Sequence, residues 1–92
     1  MSGGMREHIR WQKGGSAELV SLAIDAITLQ STIPSPPGSR LDGALATDPA
    51  KLVRVKIHGS KKQADGTFLL VGRPIDLQKE LREELLSLVA RP

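Results

Sequence analysis

Cysteine is absent from the 92-residue chain. That excludes a disulfide framework, a thiolate nucleophile and a thiolate-bound zinc. Aromatic residues are almost absent as well: one Trp, one Phe and no Tyr. The core must therefore be aliphatic, and a platform for stacking single-stranded bases has little to be built from. No apolar run approaches the ~18 residues of a bilayer-spanning helix. The opening "MSGGMREH" has no apolar stretch of the kind that marks a secretory signal. The expectation is a cytoplasmic protein without membrane insertion. A flexible tail over 1–4 precedes a single domain over 5–92, a length that suits one modest core.

Enzymatic constellations are scarce too. Neither nucleotide-binding glycine pattern is present, and Ser21 does not sit in a G-x-S-x-G elbow. His8 and His58 are far apart, with no serine in a nucleophile context beside either. Acidic partners at metal-ligand spacing are lacking around both histidines. Glu80, Glu83 and Glu84 read as the solvated face of a helix. These readings point away from catalysis, from a metal and from a bound cofactor.

What is present is a β pattern. "HIRWQK" reads as a short strand with Ile9 and Trp11 inward, and Gly14-Gly15 as the tight turn after it. "AELVSLAI" and "AITLQST" follow as strands, the second alternating Ile27 and Leu29 inward with Thr28 and Gln30 outward. "IPSPPGSRL" breaks regular structure with three prolines and a glycine. The small residues of 42–51 read as a turn-prone connection with at most a short edge strand near Ala44 and Leu45. "KLVRVKIHG" is the clearest strand, with Val53, Val55 and Ile57 on one face and Leu52, Arg54, Lys56 and His58 on the other. Asp65-Gly66 is a hairpin turn leading into "TFLLVGR". From Asp76, a plausible N-cap, to about residue 90, Leu77, Leu81, Leu85, Leu88 and Val89 form the apolar stripe of one helix. With no alternation of strand and helix, the fold class is all-β: a small antiparallel β-barrel of about five to six strands with a C-terminal α-helix over about 76–90.

The formal charge of +3 is mildly basic and favours an anionic partner. The cations concentrate in the body of the chain, at Arg6, Arg10, Lys13, Lys51, Arg54, Lys56, Lys61 and Lys62. Charges beyond Asp76 are near balance.

Four features carry a resemblance over most of the chain, from Met5 to Ala90. They are the R-x-x-x-R pair Arg6 and Arg10, the segment "SLAIDAITLQSTIPSPPGSRL", the strand pair "LVRVKI" and "GTFLLVGR", and the closing "PIDLQKELREELLSLV". Together they resemble a PilZ domain, a small bacterial β-barrel with a following helix, many members of which bind cyclic di-GMP. The resemblance implies that Arg6 and Arg10 grip phosphates and stack on guanine, as planar guanidinium groups do well. It also implies a second binding motif of Asp or Asn, any residue, Ser, two residues and Gly. Here those positions hold Ser21, Ala23 and Ala26, so each departs from the pattern. A lost hydrogen bond to a charged group is worth about 1.5–3 kcal/mol, so two losses weaken binding by roughly a hundredfold or more. Ala26 also lacks the freedom of glycine at positive φ. The resemblance thus implies a bacterial regulatory binding domain in cyclic di-GMP-type signalling, with nucleotide binding weakened or lost.

Two alternatives stand beside it. One is a PilZ-like protein–protein interaction module that no longer binds the nucleotide and contacts a protein partner through the barrel or the helix. The other is a small β-barrel that binds nucleic acid along Arg54, Lys56, His58, Lys61 and Lys62. The scarcity of aromatics weighs against the latter for single strands.

Overall fold

The structure, a computed structural model, describes residues 7–90. Six strands and a helix follow in order: β1 Ile9–Trp11, β2 Ser16–Leu22, β3 Ile27–Ser31, β4 Arg40–Leu45, β5 Asp48–Lys62, β6 Phe68–Pro74 and α1 Lys79–Ala90. All pairings are antiparallel, and the strands close into a barrel in the order β1-β2-β3-β6-β5-β4. The expected all-β barrel with a C-terminal helix is met. Closure leaves no open sheet edge.

The inward positions are the ones that alternation marks. Ile9, Trp11, Ala17, Leu19, Ile27, Leu29, Leu41, Leu45, Val53, Val55, Ile57 and Leu70 form the buried core, joined by Leu85 from α1. β1 is only three residues long, yet it pairs with β2 on one side and β4 on the other. Backbone bonds extend both ladders past its end: His8 N–H donates to Ala17 O at 2.9 Å, and Ala46 N–H to His8 O at 2.9 Å.

The stretch around Gly43 differs from its sequence reading. It is not a loop with a short edge strand but a full stave of the barrel, bonded on both sides. Its small residues look like turn signals because they leave room for a neighbour. Trp11 lies directly opposite Gly43, and a Cβ at Gly43 would come within 2.6 Å of Arg10 O and 2.8 Å of the Trp11 ring. The indole occupies the space that a side chain would take.

β5 starts earlier than its apolar run, at Asp48. Between Leu45↔Asp48 and Ala44↔Leu52 the register shifts, so 49–51 bulge outward. Pro49 is accommodated there because a bulged residue owes no ladder bond. The helix begins later than expected. Its first turn is closed by Arg82 N–H on Gln78 O at 2.9 Å, which makes Gln78 the residue that caps it. Asp76 is not the N-cap; it stands at φ 51 in the lead-in, a conformation that aspartate tolerates better than most residues.

The barrel has two distinct rims. One carries the β2–β3 turn, the β4–β5 turn and the lead-in to α1. The other carries the β1–β2 turn, the proline-rich connection 32–39 and the β5–β6 turn. α1 packs along β2 and closes the first rim, with Leu85 fully buried and Leu77, Leu81, Leu88 and Val89 against the core. Among the described residues no helix is long and apolar enough to cross a membrane.

Candidate functional site

The residues singled out by the sequence fall at separate places. Arg6 lies outside the described residues, as does the 1–4 tail. Arg10 points outward from β1, is 67% exposed, and has its Nε 3.3 Å from Glu7 Oε1. It pairs in register with Ser16, the first residue of β2. Ser21 sits near the other end of β2, just past a register shift between Leu19 and Ser21, opposite Thr28. Five residues of strand separate Ser16 from Ser21, or roughly 16 Å at the usual rise. Arg10 therefore faces the rim away from the β2–β3 turn.

Ser21, Ala23 and Ala26 are brought together at the first rim. Ala23 N–H donates to Ala26 O at 2.8 Å, which closes the bend. Ala26 does not adopt a positive φ; among the described non-glycine residues only Asp76 does. The bend has formed without needing glycine at that position. At its tip Ile24 is 76% exposed, and Val20 at the β2 irregularity is 46% exposed.

The chain enters β1 from this same rim. His8, just ahead of β1, reaches the irregularity in β2, where its Nδ1 accepts the Leu19 N–H at 3.0 Å. This bond takes up a β2 backbone donor beyond the end of the β1–β2 ladder, and it ties the entry segment to the strand that carries Ser21.

Near the same rim a groove of about 390 Å³ opens between the β5 bulge and the lead-in to α1. Leu52, Ile75 and Leu81 contribute apolar surface to it, and Lys51, Asp76 and Glu80 contribute charge. Lys51 is held in an ion pair with Glu84 on α1, with Asp48 at 4.0 Å behind it. The hydrogen bond that Lys51 donates to Glu84 is the largest influence and, with the charges of Glu84, Asp48 and Glu80, raises the Lys51 ammonium above its ordinary value against the opposing effect of burial. Glu84 is thus not simply part of a solvated helix face: it anchors α1 to the β5 bulge.

The sequence did not single out Arg40 and Arg73. In register Arg40 stands opposite Lys56 on β5, and Lys56 stands opposite Arg73 on β6. All three are exposed. The signal was present only as parity within each strand, and bringing them together requires the register. Among the described residues none of the three is in an ion pair; Arg54, on the same face, is 3.9 Å from Asp42. Among the described residues no group of three or more His, Asp or Glu side chains is placed to hold a metal ion. Compared with protein-family models, with curated proteins and with solved structures, the chain matches none.

Proposed function

We propose that the chain is a PilZ-like regulatory binding domain of cyclic di-GMP-type signalling, acting by binding and not by catalysis, with a reduced nucleotide site. The observation that carries this reading is the arrangement at one rim. The entry to β1 at His8, the Ser21–Ala26 bend and the closing helix all meet there, on a six-stranded barrel followed by a helix. Ser21 offers a hydroxyl and the bend offers backbone groups, so the nucleotide would be held chiefly by main chain and by arginine. Arg10, opposite the far end of β2, is remote from that bend, which shifts the weight of phosphate binding to Arg6.

Calorimetry of cyclic di-GMP into the purified chain, at concentrations that register affinities of tens of micromolar, tests the proposal. Saturable binding is expected, lost in Arg6→Ala and weakened less in Arg10→Ala. Binding that survives Arg6→Ala unchanged would overturn the site assignment. No binding at all would remove the nucleotide from the reading.

A second reading, a PilZ-like interaction module that binds a protein partner instead, is favoured by one specific observation. Val20 and Ile24 on this rim and Leu86 on α1 remain exposed. Loss of partner capture on Ile24→Asp, with unchanged folding, would support it.

A further inference from the structure

The outer face of β4, β5 and β6 is a second, independent surface, and its charge arrangement runs against the interests of the fold. Arg40, Lys56 and Arg73 lie directly opposite one another on three adjacent staves. Like charges in directly opposed cross-strand positions destabilise a sheet. No acidic residue among those described neutralises the three. Exposed cations often serve to block strand pairing at a sheet edge, but this barrel is closed and these strands have no edge to protect. A purely solubilising role needs charges on the surface, not three of one sign in one row.

We infer that this face binds the phosphate backbone of double-stranded nucleic acid, without reading its sequence. Adjacent strands are about 4.8 Å apart, so the row spans roughly 10 Å. That is wide enough to meet phosphates on both walls of a minor groove about 6 Å across. The cations also continue along the outer face of β5: Arg54 lies two residues before Lys56, and exposed Lys61, opposite Leu69, lies beyond it. Arg54 to Lys61 covers roughly 23 Å of strand. The field is two-dimensional and lies on an outer barrel face; the groove beside α1 takes only Arg54 from it. An extended polyanion fits it better than a single small anion. Single strands fit it poorly, because the only Trp is buried and the only Phe is partly buried, which leaves no exposed Trp, Phe or Tyr ring for bases to stack on.

The test is fluorescence anisotropy with a labelled duplex of about 20 bp over about 50–200 mM salt, comparing the native chain with Arg40→Gln/Lys56→Gln/Arg73→Gln. Each neutralised phosphate contributes about −0.9 to the slope of log affinity against log salt, so the triple variant should be less steep by about 2.7. Across that fourfold salt range the native chain should lose about 40-fold more affinity than the variant. Lys56→Gln alone should change the slope by about 0.9, and serves if the triple variant does not fold. Three results would each overturn the inference: no binding at the lowest salt, slopes equal to native in the variants, or competition by single strands or polyglutamate as effective as by duplex. None of these depends on whether cyclic di-GMP binds.

Discussion

The indole N–H of Trp11 donates a buried hydrogen bond to the hydroxyl of Ser31 at 3.0 Å. Ser31 in turn donates to Ile33 O at 2.8 Å and accepts from Ile33 N–H at 3.1 Å. One serine thus satisfies the chain's only indole and turns the backbone into the proline-rich connection. Trp11 and Ser31 lie toward the rim opposite α1, so the two rims are secured by different means: a polar knot at one and the Leu85 stripe at the other.

Ser31→Ala should destabilise the domain by about 1–3 kcal/mol, because it leaves the indole N–H buried without an acceptor. Trp11→Phe/Ser31→Ala should cost less than the sum of the two single changes, since the second change removes the stranded donor. Urea denaturation followed by far-UV circular dichroism measures both. Full additivity would mean that the bond contributes no coupling.

Gly72 and Gly59 should respond in opposite ways to the same substitution. A Cβ at Gly72 would fall on the carbonyl oxygen of Lys56 and within 3.0 Å of Val55 Cγ1, whereas one at Gly59 meets nothing within 4 Å. Gly72→Ala must push backbone apart and should cost about 1–3 kcal/mol. Gly59→Ala should be neutral or stabilise by up to about 1 kcal/mol, through the lower entropy of the unfolded chain. Thermal midpoints of the two variants decide it; equal losses would contradict the close approach of β5 and β6.

Two ion-linked contributions should appear at opposite ends of the pH scale. Lys51 is raised above 10.5, chiefly by the Glu84 hydrogen bond. Its contribution is therefore complete below that value and is lost as pH rises through the higher folded value. The stability gap between the native chain and Glu84→Gln should be flat at neutral pH and, on the alkaline side, close only in strong alkali. Asp65 is lowered below 3.8, first by the Thr67 hydroxyl and then by the Thr67 N–H. Its contribution is present above 3.8 and is lost as pH falls through the lower folded value. The gap to Asp65→Ala should be flat above about pH 5 and close in acid. Asp65 is exposed and Lys51 half-exposed, so both gaps are small. A gap that varies through the neutral range would refute the assignment.

Much of the barrel was legible in the sequence. The alternation of Val53, Val55 and Ile57 with Arg54 and Lys56 marked β5, and Gly14-Gly15 and Asp65-Gly66 marked two turns. The leucine stripe marked the helix. β4 was hidden because Gly43 and Ala44 are small for a reason located on another strand, the Trp11 ring. The helix start was misplaced because Asp76 has the residue type of a cap but sits in a left-handed lead-in. Ser21, Ala23 and Ala26 were rightly placed beside one another, since they are close in sequence. The remoteness of Arg10 from them depends on the register of β1 against β2.

By itself the sequence determined the elements, the inward face of each strand, the aliphatic character of the core and the absence of thiol chemistry. All of these are local properties, set by residue type and by a period of two or of 3.6. Only the tertiary structure decided which side chains from different strands stand together: Arg40 beside Lys56 beside Arg73, Lys51 beneath Glu84, Trp11 over Gly43. The physical reason is register. Sliding one strand by a single residue preserves its pattern while exchanging its faces. Only the packing of the whole core, with glycine where a ring must fit, selects one alignment.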